Sequence, residues 1–273
     1  MADATDSKSV GSDTVWVQVP PPAPKPRAKV RGFNYMLLEV VMQYTVEPIA
    51  HIHNNYKEKF GIPRQSGLAS SVLSAIVFDE KFRDENALRG LEGYSHIWLL
   101  WMFDNNNSDK SWSATVRPPR LGGNKRMGVF STRSPYHPNR IGLSCVKLVS
   151  IEKTKDSGTV IYVQGADLLD NTPIIDIKPY LSFADSHPEA KCAFTEDTIN
   201  YILNVKFQAD VSGLSCELKT EIEEILKYDP RPSYQDDENR VYSMRYSDYD
   251  IRFTVKDLLL TVIEINKMNG SEK

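Results

Sequence analysis

Residues 143–180 read LSCVKLVSIEKTKDSGTVIYVQGADLLDNTPIIDIKPY. Three runs rich in Val, Ile, Leu and Tyr, at 143–153, 159–167 and 173–180, are parted by Asp156-Ser157-Gly158 and Asp170-Asn171-Thr172-Pro173. β-Branched and aromatic residues suit a pleated, half-buried surface, and Gly, Asn and Pro supply the turns between such runs. Working outward, similar runs fall at 45–53, 72–79, 95–103 and 126–133. Gly61-Ile62-Pro63, Asn105-Asn106-Asn107 and Gly122-Gly123-Asn124 punctuate them. Only 84–89 has helical character in this region. Short strands without intervening long helices predict an antiparallel barrel or sandwich, not a parallel α/β sheet.

The last third changes pattern. Leu214, Leu218, Ile222, Ile225 and Leu226 fall on one face of an amphipathic helix. Asp229-Pro230 ends it. Residues 242–252 read as a hairpin strand and 253–265 as one or two more, the last an edge. The reading is a mainly β protein with a small C-terminal α+β domain over 196–268. Residues 1–43 form an extension, flexible and proline-rich over the first ~32, where VPPPAPKPR at 19–27 favours extended polyproline II.

The chain has 273 residues, 41% hydrophobic and 25% charged, as expected of a globular protein. No run approaches the ~20 apolar residues of a bilayer span, and 1–11 lacks the apolar core of a secretory signal. Cys145, Cys192 and Cys216 lie far apart, which argues against a disulfide framework or a cysteine metal site. A reducing, cytoplasmic setting is the expectation. The net charge of −3 is unevenly distributed, because residues 185–273 alone hold 18 acidic and 11 basic side chains. From Lys110 to Ile151 there are eight Lys or Arg residues and no Asp or Glu. Such a block predicts a positive surface facing an anion.

Absent motifs narrow the chemistry. There is no GxGxxG after a strand, no Walker A sequence, no zinc-deaminase signature and no GxSxG elbow. The five histidines show no metal-ligand spacing, so no metal is expected.

Three segments have compositions poor for a core. Gly61-Ile62-Pro63-Arg64-Gln65-Ser66-Gly67-Leu68 is a tight loop with a forked cationic donor. Residues 117–143, RPPRLGGNKRMGVFSTRSPYHPNRIGL, alternate cations with Phe130, Tyr136 and His137. That mixture suits nucleic acid, with cations on phosphates and rings on unpaired bases, and it also suits a small anion. Residues 164–180 place Asp167, Asp170 and Asp176 around the end of an apolar strand, where they can bind a cation, orient hydroxyls or accept a proton.

GIPRQSGL, RPPRLGGNKRMGVFSTRSPYHPNRIGLS and DLLDNTPIIDIKPY, in this order, resemble the TsaA/TrmO family of S-adenosylmethionine-dependent tRNA methyltransferases. The likeness spans 44–184 and continues weakly through Asp229-Pro-Arg-Pro-Ser-Tyr234. It implies a single-sheeted antiparallel β-barrel over 44–184, a homodimer, and methylation of N6 of N6-threonylcarbamoyladenosine (t6A) at position 37 of tRNA. Matching positions imply a donor pocket of Arg64, Gln65, Ser66, Gly67, Leu68, Arg133, Leu143, Gln164, Gly165, Ala166 and Asp167, with Asp104 and Asn105 also carried over. Arg117, Arg120, Lys125, Arg126 and Arg140 would hold the anticodon stem-loop. His137 and Arg140 depart from the family pattern, which commonly has Arg and Pro there. No general base is evident, and Asp170, Asp176 and Tyr180 are the candidates. A non-catalytic RNA- or partner-binding barrel is the alternative the residues leave open.

Overall fold

A computed structural model of the chain describes residues 44–103, 112–118, 121, 125–198, 201–232, 235 and 237–268. Asp104, Asn105, Arg120, Tyr234 and the proline-rich N-terminal stretch lie outside the described residues. From Thr45 onward the chain is one compact unit.

Six strands close into a barrel: β1 (Ala50–His53), β2 (Leu73–Phe78), β3 (His96–Met102), β6 (Ile141–Thr154), β7 (Gly158–Gln164) and β8 (Thr172–Pro179). Their order around the barrel is β1-β2-β7-β6-β3-β8, and every neighbouring pair is antiparallel. Alternation sets the faces. In β3, Ile97, Leu99 and Trp101 point inward and meet Ile52, Ile76, Val146, Ile161 and Ile174 in the barrel core. Burying such a side chain fully contributes about 2 kcal/mol relative to leaving it exposed. Strand β6 is long enough to serve two neighbours. Its first half pairs with β3 and its second with β7, across an irregularity between Leu148 and Ser150.

The expected strand at 126–133 is largely a different structure. Only Thr115–Val116 (β4) and Met127–Gly128 (β5) pair, and Val129–Ser131 turns into a 3-10 helix. Residues 84–89 also form a 3-10 turn, Glu85–Leu88, capped by the Asp84 carboxylate on the Asn86 N–H.

A second sheet has the order β10-β11-β12-β9, from Tyr242–Tyr246, Tyr249–Lys256, Leu259–Lys267 and Asn204–Phe207. Contrary to the sequence reading, β12 is not an edge. It pairs in parallel with β9, which the sequence reading did not include. A short helix α1 (Ser182–Asp185) follows the barrel. Helix α2 (Cys216–Lys227) starts at Ser215, whose hydroxyl accepts from the Leu218 N–H, and buries Ile222, Ile225 and Leu226 against this sheet.

The second core recruits Tyr56, Ala69 and Val72 from the 19-residue connection between β1 and β2. Hydrogen bonds reinforce that placement. Glu221 on α2 accepts from Asn55 and Tyr246, and Glu224 accepts from Ser70 Oγ, Ser71 Oγ and the Ser71 N–H. The loop at 61–68 is therefore presented by the C-terminal sheet and helix while it reaches the barrel.

Candidate functional site

The site begins with an open strand edge. The Phe103 N–H donates to Arg140 O at 3.0 Å, and the Leu148 N–H donates to Ser95 O at 2.9 Å. Between these bonds, alternation along the antiparallel pair turns the backbone groups of 142, 144 and 146 toward β3 and those of Ile141, Leu143 and Cys145 away from it. Strand β7 covers β6 only from Lys147 onward.

Two turns come onto that edge. The Cys145 N–H donates to Ser66 Oγ at 3.2 Å. The Gly67 N–H donates to Gly165 O at 2.8 Å, and the Gly165 N–H donates to Val72 O at 3.2 Å. Both glycines have left-handed backbones, with φ of +82° and +78°. A Cβ at Gly165 would lie 3.1 Å from Gly67 Cα, so the approach of the two turns depends on its missing side chain. Buried Ala166 and Leu168 pin the second turn to the barrel core.

Asp167 lies between those two anchors. Its Oδ1 accepts from Ser144 Oγ at 2.5 Å, and Ser144 Oγ accepts from Trp101 Nε1 at 3.0 Å. The Trp101 ring lies on Gly142, where a Cβ would come within 2.2 Å of it. Burial pushes the Asp167 pKa up to about 6, although Ser144, the Ser66 backbone and the Arg133 charge pull the other way. Arg133 Nη1 donates to Gln65 Oε1 at 2.8 Å, while Gln65 Nε2 donates to Arg64 O at 2.6 Å. One rim thus carries a desolvated carboxylate, an exposed guanidinium and an open backbone edge at Leu143.

Arg64 is turned differently from what its motif suggests. Its Nη2 donates to Arg231 O at 2.6 Å, binding the loop to the Asp229-Pro230-Arg231 turn. Arg231 is itself buried and forks onto Asp229 through two 2.9 Å bonds, and Tyr201 Oη donates to the same carboxylate.

The three base candidates lie in dissimilar places. Asp170 faces a cleft lined by His53, Asn54, Lys57, Leu73 and Tyr162. Desolvation would raise its pKa, yet Lys57 at 2.8 Å, the Asn54 N–H and His53 hold it below the usual carboxylate value. Asp176 pairs with Lys178 at 2.9 Å on the outer face of β8. The Tyr180 ring packs 5.8 Å from that of Trp98 and 6.0 Å from that of His96. The register puts Leu143, Leu100 and Asp176 in one row, on the outward face of β6, β3 and β8.

Of the expected cations, Arg117, Lys125 and Arg126 are exposed on the β4–β5 hairpin, with Arg126 Nη1 donating to Thr115 Oγ1 at 3.0 Å. Arg140 occupies the turn into β6 with φ of +50°. Sequence reasoning missed Trp101, Ser144, Glu224 and the link from Arg64 to Arg231. Ser144 was already visible in the quoted IGLS motif, but nothing local tied it to Asp167.

Comparison with known proteins agrees with this architecture. Residues 51–186 match the tRNA-methyltransferase O N-terminal domain, and 200–268 match the TrmO C-terminal domain. The Escherichia coli tRNA (adenine(37)-N6)-methyltransferase is 40% identical over 223 residues, covering 78% of this chain and 94% of that protein. The human tRNA (adenine(37)-N6)-methyltransferase is 36% identical over 71% of this chain, which spans 43% of the human protein. Two crystal structures of TrmO from Pseudomonas aeruginosa match with TM-scores of 0.66 and 0.65, at 31% and 29% identity. They cover 83% and 82% of this chain and 98% and 100% of theirs. A closed antiparallel barrel with these matches places the chain among barrel-fold tRNA methyltransferases. It belongs to the TrmO family.

Proposed function

We propose that this protein transfers a methyl group from S-adenosyl-L-methionine to N6 of adenosine 37 in tRNA, with t6A as the target nucleoside. The observation that carries the reading is the meeting of residues 64–68, Arg133, Leu143–Cys145 and Gly165–Asp167 at one strand edge. Those groups fit a zwitterionic sulfonium nucleoside. Arg133 would hold the carboxylate of its amino-acid arm, as a forked cation does. Asp167 would accept from its hydroxyl or ammonium groups. The backbone edge at Leu143 offers a donor and an acceptor suited to a base edge. Gly67 and Gly165 let backbone approach closely where a side chain would block the way. When bound, the donor supplies an electrophilic methyl carbon.

The chain's own task is positioning. N6 of the adenine attacks the methyl carbon, the carbon–sulfur bond breaks to leave a thioether, and N6 loses its proton to solvent. The carbonyl substituent of t6A acidifies that N–H, so no strong base is needed. This agrees with Asp170 being held by Lys57 and Asn54. The anticodon loop is single-stranded, so its base can enter the cleft without opening a duplex. Arg117, Lys125, Arg126 and Arg140 would bind the stem-loop phosphates. The homodimer implied by the resemblance, and a cytoplasmic setting for its three free cysteines, are part of the proposal.

Incubation with methyl-labelled S-adenosylmethionine tests it, using tRNA containing or lacking the threonylcarbamoyl group. Label confined to the modified tRNA is expected. Binding of that tRNA without transfer would leave a non-catalytic RNA-binding barrel instead.

A further inference from the structure

The β4–β5 hairpin holds aromatic rings out in solvent. Trp112, three residues before β4, and Phe130, two after β5, are brought together by the antiparallel pairing. Their ring centroids are 6.4 Å apart with planes inclined by 31°. Phe130 meets the edge of His137 at 5.6 Å and 78°. Trp112 is 56% exposed and Phe130 74%. Side chains this large normally bury their rings, and a cluster left in water marks a surface with a partner.

The backbone beneath the rings is fixed. Val129 is 1% exposed, its N–H donates to Ala114 O at 3.0 Å, and His137 Nε2 bonds Thr132 O at 2.8 Å. Three residues beyond Phe130, Arg133 reaches Gln65 of the candidate donor loop. Charge selects the kind of partner. The sequence from 112 to 140 contains no Asp or Glu, and Arg117, Lys125 and Arg126 stand exposed on the same hairpin. Flat rings among cations, with no acidic side chain, are what single-stranded nucleic acid requires.

We infer that Trp112 and Phe130 form a stacking platform for an unpaired nucleobase of the anticodon loop beside the nucleotide to be methylated. The inference rests on the tRNA reading above and adds the surface that holds a neighbouring base, with Arg117, Lys125 and Arg126 on its phosphates.

Binding of a synthetic, unmodified anticodon stem-loop, measured without methyl donor, tests it. Trp112→Ala and Phe130→Ala should each weaken binding about 10-fold, while Trp112→Phe and Phe130→Tyr keep most of it. The salt dependence should keep its slope, because stacking releases no counterions. Affinity for S-adenosylmethionine should not change, which separates the platform from a folding defect. Stem-loop binding should quench tryptophan emission in the native protein, and much less in Trp112→Phe. Unchanged RNA affinity in both alanine variants overturns the platform. Loss of a dimer in those variants at unchanged RNA affinity also overturns it, and assigns the rings to a second copy of the chain. Stem-loop binding by a native protein that transfers no methyl group to t6A-containing tRNA in the presence of S-adenosylmethionine would instead overturn the enzymatic reading and leave the platform standing.

Discussion

The Gly67 N–H donates to Gly165 O across 2.8 Å, joining two turns that lie about a hundred residues apart in sequence. A Cβ at 165 would crowd Gly67 Cα at 3.1 Å on a backbone of positive φ, so the turns would have to part by a few tenths of an ångström. Gly165→Ala should therefore cost about 1–3 kcal/mol and weaken S-adenosylmethionine binding. Gly90 is the control. Its φ is +88°, but nothing lies within 4 Å of its notional Cβ. Gly90→Ala should cost only the left-handed strain, about 1 kcal/mol, and leave donor affinity intact. Denaturant titration with donor-binding calorimetry checks both variants. Equal effects on donor affinity would show that the close approach is irrelevant.

Asp167 predicts a pH dependence. Burial raises its pKa from 3.8 to about 6, so the folded chain holds this proton more tightly than the unfolded one. Its stabilising contribution is complete below about pH 4 and is lost as pH rises through about 6, a change of about 2–3 kcal/mol in the donor-free protein. Asp167→Asn removes that pH-dependent loss. The variant should gain stability relative to the native protein between about pH 4 and pH 7. Donor binding should move the opposite way, strengthening as Asp167 ionises in the native protein and staying weak and flat in the variant. Parallel stability profiles would exclude Asp167 as the titrating group.

Arg133 is exposed, and its described hydrogen bond runs to Gln65. Arg133→Ala should leave the melting temperature nearly unchanged and weaken donor binding about 10-fold or more, the loss of a charge-assisted bond. Arg133→Lys should recover part of it, since a point charge replaces a fork. Calorimetry with S-adenosylmethionine decides, and an unaltered dissociation constant would remove Arg133 from the cleft.

Asp229 and Arg231 form a buried pair behind Arg64, with side chains 11% and 6% exposed. Asp229→Ala strands a buried guanidinium and should cost about 3–5 kcal/mol. Because Arg231 O anchors Arg64, a donor KM raised more than kcat is lowered should accompany the loss in the folded fraction. Measuring kinetics below the melting transition separates the two effects. An unchanged KM would confine the pair to stability.

Stem-loop affinity should fall steeply with salt. If Arg117, Lys125, Arg126 and Arg140 each meet a phosphate, the log–log slope is about −3, and each removed cation lowers its magnitude by about 0.7 for single-stranded contacts. Filter binding over a salt series measures it. A flat response would move the RNA surface elsewhere.

Much of this molecule was readable from local pattern. The apolar run at 95–103 marked β3, and the residues between runs marked the hairpin turns. The helix at 216–227 followed from its apolar spacing. The same logic overextended 126–133, because Met127, Val129 and Phe130 give that stretch the apolar, aromatic composition of a strand. Val129 instead anchors a turn in the interior, and Phe130 is left in solvent. Strand β9 escaped notice because four residues with half-buried alternation carry little signal, and its pairing partner lies more than fifty residues away. Asp170 is one of three base candidates by composition, and only the fold brings Lys57 and Asn54 onto it.

The amino-acid order by itself determined the β class, the segments too glycine-rich or too cationic to be core, and the acid-free stretch from 110 to 151. These are properties of neighbours along the chain, governed by side-chain period, turn conformation and charge. Tertiary structure decided that Tyr56, Ala69 and Val72 are built into the C-terminal core, that Ser144 on β6 donates to Asp167 just beyond the neighbouring strand β7, and that Arg64 is held by Arg231. Those choices depend on which strands become neighbours when the barrel closes and on which edge is left open. Strand closure is a global constraint, and no local stretch of sequence contains it.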